Sequence, residues 1–77
     1  MPRIEGNLVI LNYIQKLRQL HRLTQEDLAN AVNVTRATII ALEKGNYNPS
    51  LELAFRLAEF FKTDIQKIFY TEGKYNE

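Results

Sequence analysis

The chain has 77 residues, of which 45% are hydrophobic and 25% charged, the balance of a globular domain rather than a disordered segment. This length supports one small domain and excludes a two-domain enzyme. The net charge of +1 does not by itself indicate nucleic-acid binding, so any such role must come from the local arrangement of residues.

The first predicted helix runs from about Leu11 to Leu20, after a segment of residues 1–10 that has no helical period. Apolar residues at steps of three and four form the buried stripe that such a helix requires. The stripe consists of Ile10, Ile14, Leu17 and Leu20.

Hydroxyl residues predict the starts of the next two helices. Thr24 can cap a second helix from Gln25 to about Val32, and Asp27 stands where a capping box needs an acceptor. Thr35 can cap a third helix, and the very short connection between the two requires a steep crossing angle. The residues expected to be buried are Leu28, Ala29 and Val32 in the second helix and Ile39 and Leu42 in the third.

The second half of the chain predicts two more helices. Gly45 can end the third helix in a left-handed conformation, Ser50 can cap a fourth helix, and Asp64 can cap a short fifth helix over residues 65–69. The apolar face of the fourth helix comprises Leu51, Leu53, Ala54, Leu57, Ala58, Phe60 and Phe61. The expected fold is an all-α, five-helix domain over residues 11–69, with a helix-turn-helix at about 25–44 and a tail at 70–77.

Four segments in the middle of the chain resemble, in order and spacing, the Xre/Cro (cro/C1-type) helix-turn-helix regulators that are related to phage repressors. They are Leu23–Ala29, Val34–Ile39, Leu42–Gly45 and Asn48–Leu51. The resemblance implies a lambda-repressor-like DNA-binding domain that places its third helix in the major groove of an operator. The implied function is a sequence-specific transcriptional regulator that binds double-stranded DNA, with repression favoured over activation.

The resemblance also implies the contact residues. The first turn of the third helix meets base edges, where Arg36 can donate to guanine or clamp a phosphate, and Thr38 can offer a hydroxyl or a methyl to thymine. Gln25 meets the backbone, unless it is a plain exposed residue of the first turn. The implied set is Gln25, Thr35, Arg36, Ala37, Thr38, Ala41, Lys44, Asn46 and Asn48. Two of these have structural alternatives: Arg36 can be a solvated charge, and Asn46 can serve only its turn.

The sequence departs from the family at two places. Ala37 stands where a glutamine is frequent, and Ile40 and Ala41 stand where polar or basic residues are common. Such an apolar face can contact thymine methyls but makes few hydrogen bonds. Arg22 stands where glycine often ends the first helix, so we expect a turn that is not left-handed and a further phosphate contact at Arg22.

Arg18 and Glu43 match a pair that in the family joins the first helix to the end of the third. We interpret it as structural, because a pair removed from water mainly costs stability when one member is deleted.

Several classes of function are not supported by the residues present. The chain has no cysteine, and His21, its single histidine, has no partner in sequence that would suggest an activated nucleophile. We therefore expect no enzyme, no metal and no cofactor. No apolar run is longer than that of residues 8–11, which is far shorter than the ~20 residues of a membrane helix, so we expect a cytoplasmic protein without a membrane partner.

Two questions of partnership remain open at this stage. The apolar face with Ala37, Ile40 and Ala41 also suits an antitoxin or protein-interaction module of the same fold. We expect a homodimer through the chain ends, where residues 8–10 and 68–70 are apolar, with the first segment a candidate strand. The alternative is that these ends only cover the domain. A separate effector domain does not fit, so no small-molecule effector is expected.

Overall fold

The computed structural model describes residues 3–5, 9–72 and 74–76, which form five helices and four short strands. The helices are α1 (Ile14–Leu20), α2 (Gln25–Ala31), α3 (Arg36–Glu43), α4 (Leu51–Phe61) and α5 (Ile65–Ile68). The strands are β1 (Arg3–Glu5), β2 (Ile10–Asn12), β3 (Phe69–Thr71) and β4 (Lys74–Asn76). The predicted five-helix architecture is confirmed, and strands near both ends are added to it.

Three helices begin at the predicted hydroxyl caps. The Thr24 hydroxyl accepts from the backbone N–H of Asp27 at 3.0 Å, and the Asp27 carboxylate accepts from the Thr24 N–H at 2.9 Å, which completes a capping box. Thr35 and Ser50 cap α3 and α4 in the same way with their side-chain oxygens. Asp64 precedes α5 without a side-chain hydrogen bond to it, so the predicted carboxylate cap is wrong there.

Four helices end in a left-handed residue, and one of these residues contradicts the prediction. Arg22 has φ 56°, with Asn33 at 60°, Gly45 at 76° and Lys62 at 54° after the later helices. The Arg22 turn closes with two backbone bonds of 3.0 Å, from the Arg22 N–H to the Gln19 carbonyl and from the Leu23 N–H to the Arg18 carbonyl. These bonds satisfy carbonyls at the end of α1 and offset the steric cost of a side chain in this conformation.

The core lies where the helices meet and is entirely apolar in the described residues. Its fully buried members come from all five helices: Ile14, Leu28, Ile39, Leu42, Leu57 and Ile68. Three residues of the predicted apolar faces are instead exposed: Leu20 in the last turn of α1 is 70% accessible, Leu51 in the first turn of α4 is 71% and Phe60 in the last turn of α4 is 38%. The spacing of apolar residues predicts which face of a helix a residue lies on. These residues lie in end turns that extend beyond the elements covering the rest of that face.

The two ends of the chain pair as two short antiparallel two-stranded sheets, β1 with β4 and β2 with β3, which together we call the ribbon. Arg3 pairs with Asn76 in β1 and β4, and Leu11 pairs with Tyr70 in β2 and β3. Leu8, which the expected association segment included, lies outside the described residues. The expected strand at residues 8–10 is confirmed only for Ile10, which begins β2, and its partner is the other end of the same chain.

The ribbon shortens two predicted helices. Leu11 belongs to β2, so α1 begins at Ile14, and Phe69 belongs to β3, so α5 ends at Ile68. Asn12 explains the first shift: its side-chain oxygen accepts from the N–H of Ile14 at 3.1 Å, while its amide donates to the Leu42 carbonyl at 2.8 Å. Asn12 thus accepts from the first N–H of α1 and ties the ribbon to the end of α3.

Over the described ranges, no helix combines the length and apolarity that a membrane crossing requires. The same ranges bring together no group of three or more histidine or carboxylate side chains that could hold a metal ion.

The capping box at α2 predicts that the stability of the fold decreases at acid pH, and we call this part of the pH profile the acid limb. The Thr24 N–H, and after it the Thr24 hydroxyl, hold the pKa of Asp27 below its ordinary value. A lowered folded pKa contributes stability above the unfolded value, and that contribution is lost as the pH falls below about 4. In thermal melts between pH 2 and 7, Asp27→Asn should flatten this limb, whereas the neighbouring Glu26→Gln should retain it. Parallel acid limbs for Asp27→Asn and the parent would contradict the assignment.

Candidate nucleic-acid interface

The turn between α2 and α3 fixes the orientation of the two helices relative to each other. Asn33 adopts a left-handed conformation, and the N–H of Val34 donates to the Ala29 carbonyl at 2.9 Å. Leu28 in α2 and Ile39 in α3 are both completely buried in the shared core. The short turn and these anchors hold α3 against α2, so that one side of α3 remains outward.

The outward side of α3 is apolar. Ile39 and Leu42 are fully buried, and the helical repeat puts the opposite side at Ala37, Ile40, Ala41 and Lys44, which we call the outer face of α3. Ala37 and Lys44 are exposed, and Ile40 and Ala41 are half-buried. The helix that the sequence assigned to the major groove thus presents methyl and methylene groups along most of its length.

The two threonines at the start of α3 are engaged with each other. Thr35 caps the helix, its hydroxyl accepting from the Thr38 N–H at 3.3 Å, and the Thr35 and Thr38 hydroxyl oxygens lie 3.0 Å apart. Thr35 is exposed and Thr38 half-buried. Thr38 therefore takes part in the cap of α3 in addition to its predicted role as a base contact.

Arg36 lies at a cleft beside the outer face of α3. The cleft has a volume of about 710 Å³ and lies between the turn after α1, the start of α2 and the start of α3. We call it the basic cleft, and its lining residues are Arg18, Arg22, Leu23, Thr24, Gln25, Glu26 and Arg36. Three of the predicted DNA-contacting residues, Gln25, Arg36 and Arg22, are thereby brought to one place.

The charge in the basic cleft comes from its two exposed arginines. Within the described chain neither Arg22 nor Arg36 forms an ion pair, and Glu26 is the carboxylate that shares the cleft with them. The guanidinium of Arg18 is balanced by Glu43. Two unpaired cations facing one carboxylate make the cleft suited to a phosphate group.

A hydrogen-bonded network lies beneath the basic cleft. Arg18 Nε donates to Glu43 Oε2 at 2.7 Å, and Arg18 Nη1 donates to the Leu23 carbonyl at 2.9 Å. The amide of Gln25 donates to Glu43 Oε1 at 3.1 Å. The hydrogen bonds with Glu43, opposed by burial, raise the pKa of Arg18 above its ordinary value. One carboxylate thus links α1, the first residue of α2 and the last residue of α3.

The remaining predicted contacts follow the end of α3. Lys44, Asn46 and Asn48 are exposed, and Gly45 provides the left-handed turn between the first two. The backbone N–H of Asn46 donates to the Ala41 carbonyl at 3.0 Å, so the main chain of Asn46 closes the turn. Its side chain is not required for that bond.

Two features of the site were missed at the level of sequence. The bond from Gln25 to Glu43 joins residues that are distant in the chain, and no local pattern indicates it. The left-handed Arg22 did have a signal, because the apolar Leu23 follows it, and an apolar residue commonly follows this type of helix end.

The ion pair predicts a large difference between two basic residues of α1. The side chains of Arg18 and Glu43 are only 12% and 5% accessible, so Arg18→Ala leaves a buried carboxylate without its cation and should cost about 3 to 5 kcal/mol. Lys16 is exposed, and Lys16→Ala should cost less than about 1 kcal/mol. Chemical denaturation measures both values. Equal midpoints for the two variants would contradict the structural role of Arg18.

Comparison with known proteins gives concordant similarities. The family profile described as helix-turn-helix, HTH_3, matches residues 14–68. An uncharacterised HTH-type transcriptional regulator of Methanocaldococcus jannaschii is 56% identical over 79% of this chain and 92% of its own length. The HTH-type transcriptional regulator YgzD of Bacillus subtilis is 39% identical over the same shares.

A repressor and a solved structure extend these similarities. The cryptic phage CTXphi transcriptional repressor RstR of Vibrio cholerae is 38% identical over 71% of this chain and half of its own length. The crystal structure of the transcriptional regulator VanUg superposes with a TM-score of 0.73 over 90% of this chain and 92% of that one, at 24% identity. The latter likeness concerns the fold.

Proposed function

The chain belongs to the HTH_3 helix-turn-helix family and is a DNA-binding transcriptional regulator, and we propose that it represses transcription by occupying an operator as a homodimer. The observation that carries this proposal is the basic cleft, which Arg22 and Arg36 both line beside the outer face of α3. Similarity to a phage transcriptional repressor supports repression. We assign the protein to the cytoplasm, with no catalytic step, no cofactor and no small-molecule effector.

We assign the basic cleft to the DNA backbone. A phosphate at the cleft can accept from Arg22 and Arg36, which both line it. The amide of Gln25 has two N–H groups; one is bonded to Glu43, and the other is free for the same phosphate. Of the two contacts predicted for Arg36, we assign the one to phosphate rather than the one to guanine, because Arg36 lines the cleft and not the outer face of α3.

The other contacts follow from laying α3 in the major groove. Thr35, Ala37, Thr38 and Ala41 lie along the part of the helix that meets base edges. Lys44, Asn46 and Asn48, all exposed after the end of α3, lie where the groove wall offers further phosphates. Affinity then comes mainly from the cleft and from this segment, because phosphate contacts dominate binding to DNA.

Gel retardation with a salt series tests this assignment. Duplex DNA from upstream of the protein's own gene should be retained at low salt and released as salt rises, and Arg36→Ala should lower the slope of log K against log salt by about one. Arg22→Gly should do the same while stabilising the fold by about 0.5 to 1 kcal/mol, because glycine relieves the left-handed strain.

Lys67→Ala, an exposed cation on α5, is the matched control and should leave both slope and affinity unchanged. Affinity that is insensitive to salt, or equal losses for Lys67→Ala and Arg36→Ala, would contradict the placement of phosphate in the basic cleft.

A second candidate function is an antitoxin or another protein-interaction module of the same fold. The apolar outer face of α3 favours it, because Ala37, Ile40 and Ala41 suit an apolar protein surface as well as a base edge. A stable complex with a partner protein in the absence of DNA, lost on Ala37→Asp, would favour this function.

The ribbon supplies the surface for the proposed homodimer. Ile68 is fully buried and is therefore not free to associate, whereas Ile10 and Phe69 are half-buried and line an open apolar cleft beside Pro49 and Ala54. On the opposite side lie Leu11 and Tyr70, flanked by Val9, Tyr13 and the charged Glu72, and we call it the outer ribbon face. Val9 is 47% accessible, Tyr13 45% and Tyr70 37%, and the two tyrosine rings stack at 4.7 Å.

A second copy is the proposed occupant because an operator of two half-sites requires two recognition helices about one helical turn apart, ~34 Å. An interface outside α2 and α3 leaves both recognition helices free, and the outer ribbon face meets this condition.

Sedimentation at micromolar concentration measures the association. The parent should sediment at twice the 9.0 kDa mass of one chain, and Val9→Asp or Tyr70→Asp should produce monomers, because each buries a charge in an apolar contact. Gln66→Asp, on the exposed side of α5, should remain dimeric. A monomeric parent, unchanged by either substitution, would exclude the outer ribbon face as the dimer interface.

A further inference from the structure

The hydrogen bonds of the ribbon show which backbone groups of β2 face away from β3. In antiparallel strands, residues that exchange hydrogen bonds with the partner strand alternate with residues whose N–H and C=O groups point away from it. The Glu72 N–H donates to the Val9 carbonyl at 3.0 Å, and the Tyr13 N–H donates to the Ile68 carbonyl at 2.8 Å. In this register the odd-numbered residues of β2 bond with β3, and the even-numbered ones point away from it.

The even-numbered residues, Ile10 and Asn12, form an open edge of the ribbon. Within the described ranges, no residue outside β3 bonds with their backbone N–H groups. At the opposite edge, the N–H of Phe69 already donates to the Ile65 carbonyl, so β3 offers Thr71 alone. Two alternate residues with free N–H and C=O groups are the feature to which an extended peptide adds as a new strand.

An apolar cleft of about 290 Å³, which we call the ribbon cleft, adjoins this edge at Ile10. Its lining residues are Ile10, Pro49, Ser50, Leu51, Ala54, Ile65 and Phe69. None of these side chains is charged, and the Ser50 hydroxyl is engaged with the N–H of Leu53 in the cap of α4. The ribbon cleft therefore suits one large apolar side chain and offers little to a polar one.

A second copy of this chain does not fill the ribbon cleft. If two β2 strands paired edge to edge about a two-fold axis, the second copy would present its own Ile10 and Asn12 on the cleft side, because opposed residues share a face. That Ile10 already lines its own ribbon cleft, and both ends of the Asn12 amide are bonded within the same chain. Both clefts would stay empty, so the complementary ligand is a different chain.

We propose that the open edge of β2 and the ribbon cleft bind an extended segment of a partner protein. The segment adds a strand to β2 and places one large apolar side chain in the ribbon cleft. In antiparallel orientation it carries a small polar, an apolar and a large apolar residue, opposite Asn12, Leu11 and Ile10 in turn. The site shares no residue with the basic cleft or with the outer face of α3, so this binding does not depend on DNA.

Titration with a synthetic peptide tests the site. The probe is the capped peptide Lys-Thr-Ser-Val-Leu-Thr-Lys, whose serine, valine and leucine are the residues designed to pair with β2. Isothermal titration calorimetry should show saturable binding. The same peptide with aspartate in place of leucine should not bind, because the ribbon cleft offers no partner for a charge. N-methylation of the leucine removes one backbone hydrogen bond and should weaken binding about ten-fold.

Proline substitutions at the two edges distinguish β2 from β3. Ile10 and Thr71 lie opposite each other, and neither N–H takes part in the bonds between the two strands. Ile10→Pro removes a donor of the open edge and should weaken binding by about ten-fold or more. Thr71→Pro, the matched control, should leave binding unchanged. Circular dichroism and thermal melts show whether both variants keep the fold.

Two exposed leucines provide a second comparison that leaves the core untouched. Leu51 lines the ribbon cleft and is 71% accessible, whereas Leu20, at the end of α1, is 70% accessible and lies outside it. Leu51→Asp should weaken binding of the peptide by about ten-fold or more, because it places a charge beside the apolar side chain. Leu20→Asp should leave binding unchanged.

Amide hydrogen exchange identifies the edge that the peptide occupies. Saturating peptide should slow exchange at Ile10 and Asn12 and leave Thr71 unaffected. Absence of saturable binding at millimolar peptide, equal losses for Leu51→Asp and Leu20→Asp, or protection at Thr71 in place of Ile10 would overturn the proposal. Protection of Ile10 that rises with protein concentration in the absence of peptide would overturn it in favour of a second copy.

Discussion

The ion pair between Arg18 and Glu43 is the constraint on which the rest of this domain depends. Glu43 is the last residue of α3, and its two carboxylate oxygens are shared between Arg18 of α1 and Gln25 at the start of α2. Arg18 also donates a hydrogen bond to the carbonyl of Leu23, in the turn between α1 and α2. Because both charges are almost completely removed from water, each requires the other, and the three helices cannot shift separately.

This arrangement positions two neighbouring surfaces of different chemistry. The basic cleft is positioned by the network beneath it, since Gln25 lines the cleft and is bonded to Glu43. The outer face of α3 is positioned by Ile39 and Leu42 on the buried side of the same helix. Charge and hydrogen bonding lie in the cleft, and apolar surface lies on the helix.

Much of the helical fold could be predicted because its signals are local. A hydroxyl cap such as Thr24, Thr35 or Ser50 marks a helix start wherever it occurs, and the buried residues of α2 and α3 follow from spacing alone. The predictions failed where a distant segment decided the outcome. Leu11 fits a helical stripe but pairs with Tyr70 in the ribbon. Leu51 fits the apolar face of α4 but is exposed. The positions of Arg36 and Gln25 in one cleft likewise depend on tertiary packing.

The pairing of the two chain ends has a consequence for how the molecule folds. Contacts within α2 and α3 join residues only a few positions apart, whereas the ribbon joins Arg3 to Asn76 and Leu11 to Tyr70. Loops of that length close slowly, so the helical core can condense while the strands are still unpaired, and the ribbon forms last. In the native protein the ribbon is then the unit that opens most readily, without melting the helices, and amide hydrogens of β2 and β3 should exchange before those of α3.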